Sequence, residues 1–162
     1  MEYLLRGGNM KNEMIEILEF VVSGQSFGIN VVQVSEILSY YPLTPVPNAH
    51  PHIEGIFMPR GITITAIDLK KSLNMGVSEQ NGSFIVTQYE NMEIALHADE
   101  IISIHRVEEG DLIPAEKTGM LRKDGYVESV IKIGEKLIEV LNFSKIISEV
   151  NPDIIKQQEM AE

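Results

Sequence analysis

An all-β protein with short helices, built as two small β-barrels packed side by side, is what this sequence predicts. Three observations carry that expectation: short alternating apolar segments joined by tight turns, a plan of such segments that occurs twice, and copies too short to bury a core comfortably alone. The 162 residues are 44% hydrophobic, ordinary for a folded protein. No apolar run approaches the roughly 18–20 residues of a membrane helix, and no apolar block follows a basic start as in a signal peptide. The absence of cysteine excludes disulfides, thiolate metal sites and cysteine nucleophiles, and points to a cytoplasmic protein. The net charge is −11, with 5 Lys/Arg against 8 Asp/Glu in residues 1–79 and 8 against 16 thereafter. An acidic surface repels phosphate backbones and anionic lipid, so neither nucleic acid nor membrane insertion is expected; solubility accounts for most of the charge.

Residues 1–14 are expected to be a flexible leader with Gly7-Gly8 in its middle. Ile15 to Ser23 alternates as a strand, Ser23-Gly24-Gln25-Ser26 is a hairpin turn, and Phe27 to Val31 is the return strand. Val31, Val34, Ile37 and Leu38 suit a short helical turn before another strand ending near Tyr41. Pro42, Pro45, Pro47 and Pro51 then forbid helix and stiffen a crossover. A second hairpin has strands near 53–59 and 62–67, with Asp68 as N-cap of a short helix that turns Leu69 and Leu73 inward. The polar, glycine-containing stretch 74–83 is the expected boundary between two subdomains.

Ser83 to Tyr89 and Met92 to Ala98 form a hairpin about Glu90-Asn91, and Ile101 to Val107 is a further strand. Residues 108–124 read as a long loop. Tyr126 to Ile133 and Lys136 to Leu141 make the last hairpin around Gly134-Glu135. Asn142 caps a helix with Phe143, Ile146, Ile147 and Val150 on one face, stopped by Asn151-Pro152. Residues 151–162 are a polar tail or linker.

Laid on itself with a shift of 74, the segment 54–69 matches 128–143 without a gap: Ile56-Phe57 falls on Val130-Ile131, and Asp68 on Asn142, cap on cap. The earlier hairpins correspond with Phe27 to Ile37 on Met92 to Ile101, one residue missing. Two copies of one small β plan imply two similar barrels, closed to remove exposed edges, with a groove between them for a partner.

Chemistry-bearing constellations are scarce. His50-Pro51-His52 has a chelating spacing, yet no third ligand stands nearby; His97 and His105 lie in strand patterns. The serines occupy turns and caps with no Gly-x-Ser-x-Gly, and no phosphate-cradling glycine loop occurs. Glu108, Glu109 and Asp111 read as a solvated loop. No catalytic residue, cofactor or metal is therefore expected, the runner-up being a small barrel metal-binding protein or enzyme using His50 and His52. One charge does stand out. Arg60 is the only Lys or Arg between Lys11 and Lys70, at a hairpin tip where the second copy has Gly134. A guanidinium stiffened by Pro59 suits bidentate contact to a partner.

Phe27-Gly28-Ile29-Asn30, Val34-Ser35-Glu36-Ile37, Leu43-Thr44-Pro45-Val46-Pro47, Ile53-Glu54-Gly55-Ile56, Arg60-Gly61 and Ile67-Asp68-Leu69 stand in an order and spacing that resembles the CheW family of chemotaxis coupling domains, over about residues 15–150. The leader from Leu4-Leu5 to Asn12-Glu13 and the ending Ile146 to Pro152 look more like CheV, in which such a domain precedes a phosphorylatable receiver. The resemblance implies two intertwined SH3-like five-stranded barrel subdomains and a non-enzymatic adaptor without cofactors. Its implied partners are the helical-hairpin cytoplasmic tip of methyl-accepting chemoreceptors and the regulatory domain of the CheA histidine kinase, at membrane-associated receptor arrays. It places receptor contact on Val31, Val34, Glu36, Arg60 and Gly61. Two positions depart from the family pattern: Met58-Pro59 stands where Asn-Leu is common, and Thr65 where proline is usual.

Overall fold

The computed structural model describes residues 13–119 and 122–150, so the leader, apart from Glu13 and Met14, and the tail lie outside the described residues. Among the described residues, eleven strands and two helices follow one another. They are β1 (Met14–Val22), β2 (Gln25–Asn30), β3 (Val34–Ser39), β4 (Ile53–Phe57), β5 (Ile64–Asp68), α1 (Leu69–Ser72), β6 (Ser83–Tyr89), β7 (Met92–Ala98), β8 (Glu100–Glu108), β9 (Ile113–Pro114), β10 (Val127–Ile133), β11 (Lys136–Leu141) and α2 (Phe143–Val150). The helical turn expected after Val31 is a single 3-10 turn, Val31–Gln33, capped by Asn30. The stretch 108–124 is more than a loop: it holds 3-10 turns at Glu109–Asp111 and Ala115–Lys117 around the short strand β9.

The strands form two sheets, a five-stranded one in the order β3-β6-β7-β5-β4 and a six-stranded one in the order β9-β10-β11-β2-β1-β8. Each is an SH3-like barrel subdomain, the second carrying β9 as an added sixth strand. Phe57, Ile64, Ala66, Phe84, Val86 and Ala95 meet inside the first, with Leu38 of β3 against them. Ile17, Ile131, Ile138 and Val140 meet inside the second. The largest cluster lies between the barrels, where Phe20, Phe27 and Ile29 of one sheet pack with Ile67, Ile85, Ile94 and Leu96 of the other and with Phe143, Ile146 and Ile147 of α2. Neither barrel has enough interior to bury this surface alone, so the two share it.

The repeat shows in the hydrogen-bond register. Ile53 faces Ile67 as Val127 faces Leu141, Gly55 faces Ala66 as Ser129 faces Val140, and both ladders slip at the same rung, all with an offset of 74. For the earlier hairpins the sequence correspondence needs correction. Phe20 faces Phe27 and Ile101, while Thr87 faces Ile94 and Val34, so the copies match at a constant offset of 67, Phe27 on Ile94, with no residue missing. Alternating apolar strands match themselves at every second shift, which is how the sequence alone gives the wrong register.

The stretch 74–83 also needs correction as a subdomain boundary. It joins the two sequence copies, yet β6 and β7 beyond it pair with β3 and β5 before it, while β2 pairs with β11. Each copy lends its first hairpin to the other copy's barrel. Parallel pairing is what permits the exchange, since β5 lies beside β7, and β2 beside β11, without a direct turn. Asp99, at the β7–β8 crossing, secures the joint: its carboxylate accepts the Ser23 backbone N–H at 2.8 Å and lies 3.3 Å from Lys70 Nζ.

Candidate functional site

Three local structures bring the candidate residues into place. At the end of β2 the Asn30 side chain accepts the Val32 N–H at 3.1 Å, which turns the chain sharply from one barrel to the other. Val31 and Val34, on either side of that turn, are half-buried against the inter-barrel core, while Val32 between them is 86% exposed. The β3–β6 ladder then slips between Val34 and Glu36, so an extra residue in β3 re-aims the side chains that follow.

Arg60 lies in the turn between β4 and β5, followed by Gly61 at φ 79°, a left-handed conformation that glycine adopts without strain. Its guanidinium Nη2 donates to Glu36 Oε1, with 52% of the Arg60 side chain and 29% of Glu36 still exposed. β3 and β4 are the two ends of the five-stranded sheet. The ion pair therefore ties the free ends of that barrel across its mouth, leaving donors free for a further acceptor.

Of the five predicted residues, the structure joins Glu36 to Arg60 directly and carries Val34 on the strand of Glu36. Val31 sits on the adjoining turn, and Gly61 is exposed beside Arg60. Next to Val31 and Val32 is an open cavity of about 360 Å³ that Met14, Asn30 and Arg106 also line. Several apolar side chains are exposed, among them Met58 (53%) and Ile62 (52%) in the Arg60 turn and Ile37 (42%) on β3. An apolar surface with a held guanidinium in it is the anatomy of a protein-binding patch.

The corresponding place on the six-stranded barrel is different. At an offset of 74 the turn is Gly134-Glu135, and at 67 the partner of Glu36 is Ser103, so no equivalent ion pair forms. Two buried polar groups escaped the sequence reading. Glu19, 1% exposed, accepts from Ser26 Oγ at 2.6 Å, His105 Nε2 at 2.7 Å and Lys136 Nζ at 2.7 Å. Burial works to raise its pKa, but the bonds from Lys136, Ser26 and His105 prevail and hold it near 2, against 4.5 ordinarily. His97, 2% exposed, lies between Glu54 and the Asn81 carbonyl. The one available signal was a charge at an inward strand position, legible only once the barrel register is known.

Among the described residues, His50 and His52 meet each other without a third ligand. The His50 Nδ1 accepts the His52 backbone N–H at 3.0 Å, and no group of three or more His, Asp or Glu suited to a metal occurs among the described residues. Burial, and then the neighbouring His50, lower the His52 pKa and favour its neutral ring.

Comparison with known proteins agrees with this architecture. A family model described as the CheW-like domain matches residues 16–151. The chain is 26% identical over 136 residues to the chemotaxis protein CheW of Bacillus subtilis, covering 83% of this chain and 87% of that protein. It is 24% identical over 155 residues to the chemotaxis protein CheV3 of Helicobacter pylori, covering 88% of this chain and 50% of that one. The crystal structure of the scaffolding protein TtCheW from Thermoanaerobacter tengcongensis superposes with a TM-score of 0.72 at 21% identity, over 88% of this chain and 89% of that one.

Proposed function

The chain belongs to the CheW-like domain family and is a chemotaxis scaffold, and on that premise we propose that it couples the cytoplasmic tips of chemoreceptors to the regulatory domain of the CheA histidine kinase. It does so by binding alone, as a non-enzymatic adaptor at receptor arrays on the inner face of the membrane. No helix among the described residues is long and apolar enough to cross a membrane; on this reading the partners hold it at the arrays. Receptor contact falls on Val31, Val34, Glu36, Arg60 and Gly61.

The observation that carries this reading is the Arg60–Glu36 pair at the mouth of the five-stranded barrel. A solvent-exposed ion pair contributes little to stability, in the range of about 0–1 kcal/mol. Its service is to fix the guanidinium beside apolar surface, so that a partner's carboxylate or main-chain carbonyl meets a donor already in position. Kinase contact is assigned to the barrel faces, leaving the mouth to the receptor.

Affinity of the purified chain for a receptor cytoplasmic fragment and for the kinase regulatory domain tests the proposal directly. Micromolar or tighter binding to both is expected, and absence of binding to either overturns it. Arg60→Ala should weaken receptor binding by about 1–3 kcal/mol, leave kinase binding unchanged and shift the urea midpoint little. An unchanged receptor affinity would remove Arg60 from the contact.

A further inference from the structure

His97, on β7, lies between two acceptors from other parts of the fold. Its Nδ1 is 2.7 Å from Glu54 Oε1 on β4, and its Nε2 is 2.6 Å from the backbone carbonyl of Asn81, in the connection between α1 and β6. A carbonyl oxygen only accepts, and so does a carboxylate. A neutral imidazole has one N–H and satisfies one of them; the ring that satisfies both is the imidazolium. The surroundings favour that charge. The rings of Tyr40 and Phe84 stand 5.6 and 4.8 Å from it, centroid to centroid, and Asp68 is its partner in the β5–β7 ladder. Burial alone would lower the pKa of His97; the bonds to Glu54 and Asn81, with the charges of Glu54 and Asp68, carry it above the ordinary 6.5.

We propose that His97 is a proton-controlled clip, holding residues 79–81 of the connection between the two sequence copies against β4, the strand that leads to the Arg60 turn. The segment is tethered at either end, by Ser78 to the Asp68 carboxylate at 2.6 and 3.0 Å and by the Gly82 carbonyl to the Tyr40 N–H at 3.0 Å. Between these tethers the imidazolium grips the Asn81 carbonyl. When the ring gives its proton to solvent, one acceptor must lose its donor. The charge-assisted bond to Glu54 is the stronger, so Nδ1 keeps its proton and Nε2 turns a lone pair toward the carbonyl. The segment then moves away. Because protonation is favoured in the folded state, the clip is closed on the acid side of the folded-state pKa, which lies above the ordinary 6.5, and opens as pH rises through it.

Ring ¹⁵N NMR of the full chain from about pH 5.5 to 9, with amide exchange at residues 79–82 measured relative to its intrinsic base-catalysed rate at each pH, tests the clip. Expected are two protonated ring nitrogens at the acid end, a midpoint above 6.5, loss of the Nε2 proton first, and exchange that rises several-fold in step with the ring. In His97→Gln the exchange relative to its intrinsic rate should become flat with pH. In Glu54→Gln, where the amide can donate to a neutral Nδ1, the His97 midpoint should fall. A neutral ring at the acid end, retention of Nε2–H in the neutral ring, or relative exchange that stays flat while the ring titrates would each overturn the proposal.

Discussion

The two barrels have one strand plan and differ in where along it they place their charges. In the five-stranded barrel the rung Val86–Ala95–Ala66 crosses an apolar interior that includes Phe57 and Phe84. The equivalent rung of the six-stranded barrel reads Glu19–Gly28–Val140. Glu19 takes the place of Val86, His105 that of Leu38 and Lys136 that of Ile62, so an ion cluster stands where its twin has only aliphatic side chains. Gly28 belongs to the same adjustment, since a Cβ there would lie 2.7 Å from Ile17 Cγ2 and 3.0 Å from Ile138 Cγ2. At the mouths the contrast inverts. The five-stranded barrel holds Arg60 against Glu36 in view of solvent, and the six-stranded one has Gly134 and Ser103. A repeated backbone thus leaves side chains free to specialise: a buried pair fixes packing, an exposed pair presents a donor.

The largest effect is expected from giving the five-stranded barrel the carboxylate of its twin. Val86→Glu would bury a charge without the cations that meet Glu19, since the positions of Lys136 and His105 are held by Ile62 and Leu38, and His97 on the facing strand is already bonded to Glu54 and Asn81. The expected loss is about 3–5 kcal/mol, read as a lower urea midpoint. The reverse change, Glu19→Val, should cost much less, because Lys136 is half exposed and can turn to water. A small loss for Val86→Glu would mean that the two interiors are interchangeable.

Acid sharpens the same contrast. The folded pKa of Glu19 is depressed from 4.5 to about 2, so its stabilising contribution is fully present above 4.5 and is lost as pH falls toward 2. At about 1.4 kcal/mol per unit, the loss across that window is about 3 kcal/mol. Urea unfolding of wild type and Glu19→Gln at both ends of the window measures it, and the variant should lack this part of the acid sensitivity. Equal slopes would show that the Lys136 and His105 contacts stabilise nothing.

How far the sequence reveals this structure varies with range. The hairpins are legible because glycine and asparagine turns bracket alternating apolar strands, and the caps Asp68 and Asn142 are legible because both short helices need an acceptor at that position. The exchange of hairpins between copies is not, because parallel pairing of β2 with β11 and of β5 with β7 leaves no local mark. At the site, Arg60 is conspicuous as a lone cation at a tip. Its bond to Glu36 spans 24 residues and the width of a barrel, and only the closed sheet brings the two together. Glu19 reads in sequence as one more carboxylate on an alternating strand, and its burial follows from a register that apolar alternation cannot fix.

The smallest predicted difference compares those two caps. Both accept the backbone N–H three residues on, Asp68 from Lys71 at 3.3 Å and Asn142 from Lys145 at 3.1 Å. Asp68 also takes the Ser78 N–H at 3.0 Å and hydroxyl at 2.6 Å, anchoring the connection between the copies, whereas Asn142 adds no second side-chain bond among those described. Asn142→Ala should therefore cost about 0.5–1 kcal/mol, the ordinary worth of a cap. Asp68→Ala should cost about 2–3 kcal/mol, since a buried carboxylate with several donors is lost and those donors are left unpaired. Ser78→Ala, which removes one donor and leaves the cap, should fall between them. Equal losses for Asp68→Ala and Asn142→Ala in urea unfolding would show that the anchored connection adds nothing, and that the two copies differ in their side chains but not in how firmly their helices are held.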